Sequence, residues 1–213
     1  SPVIQNDHEG QSYVVVLDKR NGEELWRSER DEHSSWPQPI VVEYEGRKQL
    51  ITSSTRIRAY DLDNGDLIWE AGGLGGNAIP AVVNVSNEMV IAMTGWRDAN
   101  ALAVKLGGKG DLTDNPDYIR WSNQKGNSYT ASPVLHDGIL YFVTDRGMVS
   151  ALDAKTGEYL SSIDLGLQNI VTAIDPATGA KIIDPTLVPG DGETKMVCPH
   201  VSGGRGWLPT SYN

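Results

Sequence analysis

Leu17-Asp18-Lys19-Arg20-Asn21-Gly22-Glu23-Glu24-Leu25-Trp26 is a phrase that this chain repeats, and its recurrence decides the fold. Asp61-Leu62-Asp63-Asn64-Gly65-Asp66-Leu67-Ile68-Trp69 carries the same spacing, four residues from Asp to Gly and four more to Trp, 43 residues downstream. A third copy, Ala151-Leu152-Asp153-Ala154-Lys155-Thr156-Gly157-Glu158-Tyr159-Leu160, follows 92 residues later, or two units of about 46. A degenerate copy belongs between them, and Ala101-Leu102-Ala103-Val104-Lys105-Leu106-Gly107, with Trp121 arriving late, stands there. A further copy, Ala173-Ile174-Asp175-Pro176-Ala177-Thr178-Gly179, comes only 22 residues after Asp153.

Each unit reads as β-hairpins. Short apolar runs such as Tyr13 to Leu17, Ile139 to Val143 and Met148 to Leu152 have the length and composition of strands. Asp-x-x-x-Gly turns the chain, because the Asp side chain caps backbone N–H groups and Gly accepts a positive φ. A strand ending in a large aromatic follows. A second hairpin is announced by Pro37-Gln38-Pro39-Ile40, Ile79-Pro80-Ala81-Val82 and Ser132-Pro133-Val134, the last with His136-Asp137-Gly138 as its turn. Four short strands in 43–46 residues is the period of a propeller blade, and 3.6-residue helical periodicity is absent. The fold expected is all-β, a propeller of four-stranded antiparallel blades.

Composition bounds the function. Of 213 residues, 39% are hydrophobic and 22% charged, which suits a globular chain, and 23 Gly with 11 Pro punctuate many short elements. No apolar run approaches the ~20 residues of a membrane span. Ser1-Pro2-Val3 reads like the interior of a protein, so an export signal is either removed or outside this chain. Eighteen Lys and Arg against 28 Asp and Glu give a net charge of −10, which repels phosphate backbones and excludes nucleic acid. The densest basic stretch, Arg56-Ile57-Arg58, puts two guanidinium groups on one strand face, too small a patch to reverse that. The single cysteine, Cys198, has no internal disulfide partner and excludes a cysteine-based zinc cage.

The repeated phrase resembles Ala-x-Asp-x-x-Thr-Gly-x-x-x-Trp, the blade signature of the pyrroloquinoline-quinone (PQQ) type propellers. That family includes quinoprotein alcohol dehydrogenases and non-catalytic propellers of the bacterial cell envelope. The resemblance implies that Trp26 and Trp69 pack between adjacent blades, that Trp121 takes this role after an insertion, and that the blade with Ser161 at the Trp position docks more loosely. It also implies a periplasmic or extracellular location. PQQ-type propellers usually have about seven or eight blades, whereas this length holds about four. A partial propeller is expected, a fragment or a sequence joined from separated pieces, because Ile4-Gln5-Asn6 follows Val3 without a turn and the last spacing is half a blade.

Residues 1–166 resemble the envelope propellers, and 167–213 a further blade segment of the quinoprotein alcohol dehydrogenases. The latter likeness rests on the Asp175 copy and on Cys198-Pro199-His200-Val201-Ser202-Gly203-Gly204-Arg205-Gly206-Trp207-Leu208-Pro209-Thr210-Ser211-Tyr212-Asn213. In those enzymes a Cys-Pro…Gly-Gly-x-Asn-Trp-x-Pro segment borders the quinone. Here Gly206 replaces the Asn, and one cysteine cannot form their vicinal pair. Arg205 and Trp207 remain as candidate cofactor-binding residues: an Arg grips a carboxylate bidentately and a Trp stacks on a planar ring, both of which a tricarboxylate quinone wants. A β-turn with a core tryptophan is the plainer reading of the pair.

The other motifs are weak. Asp61-x-Asp63-x-Gly65 has Gly one position early for a calcium loop and Gly72 where its Glu belongs. Gly72-Gly73-Leu74-Gly75-Gly76 and Gly107-Gly108-Lys109-Gly110-Asp111 lack phosphate-loop spacing and a following helix, and read as loops. His8, His33, His136 and His200 are scattered, with surface or turn roles. Asn84-Val85-Ser86 is a short glycosylation match. No Gly-x-Ser-x-Gly elbow exists. Two functions follow: a rigid binding or scaffolding module contacting protein partners or further blades and needing no cofactor, or a fragment of a PQQ-dependent alcohol dehydrogenase that uses PQQ and calcium to oxidise primary alcohols. An aromatic platform at Trp36 and Trp96 is the sole motive for a third, carbohydrate binding.

Overall fold

The computed structural model describes residues 1–96, 98–166 and 168–198. Three complete four-stranded sheets follow one another along the chain, in the recurrent strand order of a propeller. The first is β4 (Ile40–Tyr44), β5 (Arg47–Ser53), β6 (Arg56–Asp61) and β7 (Leu67–Gly72). The second is β8 (Val83–Val85), β9 (Met89–Met93), β10 (Ala101–Lys105) and β12 (Ile119–Asn123). The third is β13 (Val134–His136), β14 (Ile139–Val143), β15 (Met148–Asp153) and β16 (Tyr159–Asp164). A three-stranded sheet precedes them: β1 (Val3–Asn6), β2 (Ser12–Leu17) and β3 (Glu24–Arg30). A two-stranded one follows: β17 (Val171–Ile174) and β18 (Lys181–Ile183). The chain is all-β, a section of a PQQ-type propeller; the one helical turn among the described residues is a 3-10 turn at Pro185–Leu187. No helix there is long and apolar enough to cross a membrane.

The Asp-x-x-x-Gly phrase makes one turn four times. Asp18, Asp61, Asp153 and Asp175 each accept a backbone bond from the Gly four residues on, at 2.8–2.9 Å, and donate to the residue after it. The glycines lie at φ 76, 81, 73 and 69°. The turn joins the last two strands of every sheet that has it. Counted back from it, β1 holds the place of β5 and β14, and β17–β18 is the closing hairpin alone, which accounts for the 22-residue spacing. The turn absent after Val3 comes later: β1 pairs with β2, Val3 opposite Val16, across residues 7–11. The Pro-marked segments lead into β4, β8 and β13, and Asp137-Gly138, at φ 48 and 77°, closes the β13–β14 hairpin as a turn with two positive φ angles.

Aromatic side chains wedge the sheets together. Trp69 is fully buried and packs with Val90, Ala92, Leu102, Val104 and Leu106 of the next sheet. Trp26 donates through Nε1 to the Leu62 carbonyl (2.9 Å), and Trp121 to that of Ala154 (3.0 Å), each the residue after the next sheet's turn Asp. Both indoles lie flat against the turn glycine: a methyl group on Gly65 would fall 2.5 Å from Trp26 Cε3, and one on Gly157 2.6 Å from Trp121 Cδ2. In β16 a register shift sets Ser161 opposite Ala151, as Trp69 is opposite Ala59. Tyr159 instead covers the next glycine, Gly179, while Leu160 and Ile163 stay exposed and no residue of β16 is buried.

These contacts predict a paired result. Gly65→Ala loses about 1–2 kcal/mol to left-handed strain and more to displacing the indole, about 3 kcal/mol in all. Gly22→Ala, at a φ within 5° of it (76° against 81°) and with nothing within 4 Å of the added methyl, loses the strain alone. Urea unfolding of both variants checks this; equal losses would remove the indole from the account.

The degenerate copy has a structural cause. Between β10 and β12 the chain leaves the sheet and runs back to the previous one, where β11 (Gly110–Asp111) pairs in parallel with β7, Gly110 opposite Trp69. Leu112 donates to the Glu70 carbonyl (2.8 Å) and buries its side chain, and Thr113 Oγ1 accepts from Gly72 N–H (2.8 Å). This strap covers what would be an exposed sheet edge and delays Trp121.

Candidate functional site

At the end of the first sheets away from the Asp-Gly turns, the chain buries charge. Arg30, in β3, grips Asp7 with Nε on Oδ1 (2.8 Å) and Nη2 on Oδ2 (3.1 Å), both side chains fully enclosed. Its Nη1 crosses to the next sheet, to Thr52 Oγ1 (2.5 Å) and Tyr60 OH (3.1 Å), while Ser35 Oγ and Gln5 Nε2 donate to Asp7 Oδ2 (2.7 Å each). Burial pushes the Tyr60 hydroxyl above the ordinary tyrosine range, with Arg30 and Arg58 pulling the other way. Arg58 donates to Glu70 (2.8 Å), Glu32 (2.8 Å) and Asp31, and Glu32 also accepts from Thr55 Oγ1 (2.6 Å). Burial works against the Arg58 charge, and the three carboxylates together still hold its pKa above the ordinary range. Arg56 takes the other oxygen of Glu70 (2.8 Å), so the two arginines share one face, as their alternation implies, and are neutralised there.

Above these pairs a cleft of about 610 Å³ opens among Glu9, Glu29, Asp31, Glu32, Arg30 and His33. Arg30 and Glu32 are committed to their buried partners, so its rim is carboxylate and imidazole. His33 lies 3.6 Å from Glu9, both exposed. Trp36 follows on the same loop, 62% exposed, its backbone N–H bonded to the Ala78 carbonyl (2.8 Å); Trp96 stacks on Tyr129 with centroids 5.4 Å apart at 28°.

The remaining motifs serve local structure. Asp61 receives the Asp63 N–H (2.8 Å) and the Arg47 guanidinium, which makes it a turn cap. Gly72 and Gly75 donate to Thr113 and Thr94, and Gly110-Asp111 is the strap strand. Asn84 bonds Asn87 within its turn (2.6 Å). His8 accepts from Gly10 N–H (2.9 Å), and His136 sits 3.3 Å from Asp137 on the surface. Cys198 is exposed, and its N–H donates to Asn169 Oδ1 (2.6 Å). Arg205, Trp207 and His200 lie outside the described residues. Among the described residues, no group of three or more His, Cys, Asp or Glu could hold a metal ion.

The turn carboxylates set an acid limit. The Arg20 side chain holds Asp18 below the ordinary aspartate range, and backbone N–H groups do the same for Asp61 (from Asp63), Asp153 (from Thr156) and Asp175 (from Thr178). A carboxylate whose folded pKa is depressed adds stability that is complete above its unfolded value, about 3.9, and is lost as pH falls below it. The thermal midpoint is therefore expected to hold from about pH 7 to 5 and to fall steeply below about pH 4. A flat profile down to about pH 2.5 would contradict the caps.

Buried pairs such as Arg30–Asp7, 23 residues apart, follow no period and carry no motif, so the sequence reading misses them. Known proteins share the frame they brace. Residues 3–162, three quarters of the chain, match the family described as outer membrane protein assembly factor BamB. No curated protein sequence matches the chain. Among solved structures, BamB from Moraxella catarrhalis superposes with a TM-score of 0.52 at 15% identity, over 84% of this chain and 62% of that one. Quinohemoprotein alcohol dehydrogenase ADHIIG from Pseudomonas putida HK5 gives 0.60 at 18%, over 96% and 40%. A europium-containing methanol dehydrogenase gives 0.68 at 15%, over 99% and 48%. The chain thus spans less than two thirds of each, and at these identities the likeness is one of fold. The family match over the same residues that carry the repeated turn and its wedged indoles makes this chain a member of the BamB-type PQQ propeller family.

Proposed function

We propose that the chain works as a rigid binding and scaffolding module of a bacterial cell envelope, periplasmic or extracellular, contacting protein partners or further blades of its own propeller and needing no cofactor. Residues 1–166 form its blades and 167–213 a further blade segment. The observation that carries this reading is where the reactive side chains go: the repeated Asp residues cap turns, and Asp7, Glu32 and Glu70 neutralise arginines that brace one sheet against the next. Titration with PQQ and calcium, followed by absorbance and calorimetry, tests it. No stoichiometric binding is expected; tight one-to-one binding would overturn it.

A second reading, a section of a PQQ-dependent alcohol dehydrogenase, is favoured by the closing Cys198–Asn213 segment and by dehydrogenase folds that cover nearly all of this chain. In that reading Arg205 and Trp207 hold the quinone's carboxylate and ring. Absence of dye-linked alcohol oxidation after reconstitution disposes of it.

A further inference from the structure

On the face that carries the Asp-Gly turns, three successive sheets together build a small cationic cleft. It measures about 330 Å³, near the lower end of ligand-site volumes (about 300–1,000 Å³), and is lined by Tyr44, Glu88, Met89, Lys105, Arg120 and Lys155. Tyr44 comes from the hairpin tip of one sheet and leans over the next, where a methyl group on Gly107 would fall 2.8 Å from its hydroxyl oxygen. Lys105 ends β10 opposite Met89, Arg120 stands on β12, and Lys155 reaches in from the turn of the third sheet. The wall is thus fixed by the same contacts that dock the blades.

Its cations are less closely neutralised than the paired arginines of this chain. Arg20, Arg27, Arg30, Arg47, Arg56 and Arg58 each hold a carboxylate. Among the described residues, Lys105 and Arg120 have none, and Lys155 meets Glu88 only at 3.8 Å with both side chains exposed. Glu45, whose charge raises the Tyr44 hydroxyl pKa, adds one more carboxylate near the rim. The cations still exceed the acids. The charge of −10 on the whole molecule is screened within about 8 Å at physiological salt, so the local surplus governs what docks there.

We infer that this cleft receives a carboxylate-bearing segment of a protein partner, an aspartate- or glutamate-rich stretch whose acids replace Glu88 at Lys155 and pair with Lys105 and Arg120. The inference rests on the scaffolding reading and names the partner's chemistry. A fluorescein-labelled hexaglutamate peptide, with glycine-serine and hexalysine peptides as controls, tests it by anisotropy at low and physiological salt. Hexaglutamate is expected to bind in preference to both controls and to weaken with salt. Lys105→Ala/Arg120→Ala, and separately the turn variant Lys155→Glu, should each weaken it at least tenfold while circular dichroism and the thermal midpoint hold. Wild-type protein that does not prefer hexaglutamate, or variants that bind it unchanged, would overturn the assignment. Displacement by equimolar inorganic phosphate would overturn it too, giving the cleft to a free anion. Quinone binding without peptide binding refutes both this inference and the scaffolding reading, whereas absence of both refutes the cleft alone.

Discussion

Replacing Trp69 by alanine is expected to lower the unfolding free energy by about 3–5 kcal/mol. Its indole is wholly enclosed, donates to Gln49 Oε1 (3.2 Å) within its own sheet, and fills the space between that sheet and the next. The next sheet has no Asp-x-x-x-Gly turn to close the vacancy, because the strap of residues 106–118 stands in its place, and the strap's own Leu112 packs in the same cluster. Trp36→Ala is the control: with the residue 62% exposed, the change should stay within about 0.5 kcal/mol. Urea denaturation followed by circular dichroism measures both, and a Trp69→Ala loss no larger than the control's would mean that the sheets are not wedged by this ring.

The second large effect belongs to the buried charge. Arg30→Ala leaves the Asp7 carboxylate enclosed with only Gln5 and Ser35 as donors, and should cost about 3–5 kcal/mol. Removing both charges, Arg30→Met with Asp7→Leu, should recover at least half of that, because the expense lies in an uncompensated buried ion and not in the lost pair. The same denaturation series reads it. A single variant within about 1 kcal/mol of wild type, or a double variant no better than the single, would place these side chains in water.

How much of this is legible in the sequence depends on whether a contact is local. The Asp-x-x-x-Gly turn is decided within five residues by a side-chain cap and a glycine, so four copies announce four turns of one geometry. The Arg56 and Arg58 alternation likewise gives their common face, and strand period alone suffices for that. The strap is illegible because two residues pairing in parallel with a strand some 40 positions earlier carry no propensity of their own. Tyr159 is missed for a related reason: Ser161 keeps the expected register, but the contact with Gly179 passes to a ring two residues away, and only the next hairpin's position shows it. The candidate site divides in the same way. Trp36 and Trp96 can be named from sequence, whereas Arg30, Asp7 and Glu32 are ordinary charged residues until the sheets are stacked.

Exchange of the indole N–H protons reports on that stacking most directly. In 15N-labelled protein, with the signals assigned by single Trp→Phe variants, the indole protons of Trp26, Trp69 and Trp121 should resist exchange with solvent deuterium, because each is bonded to an acceptor within the blade stack. Those of the exposed Trp36 and Trp96 should be lost at once. Equally rapid loss from all five would contradict a propeller held together through its tryptophans.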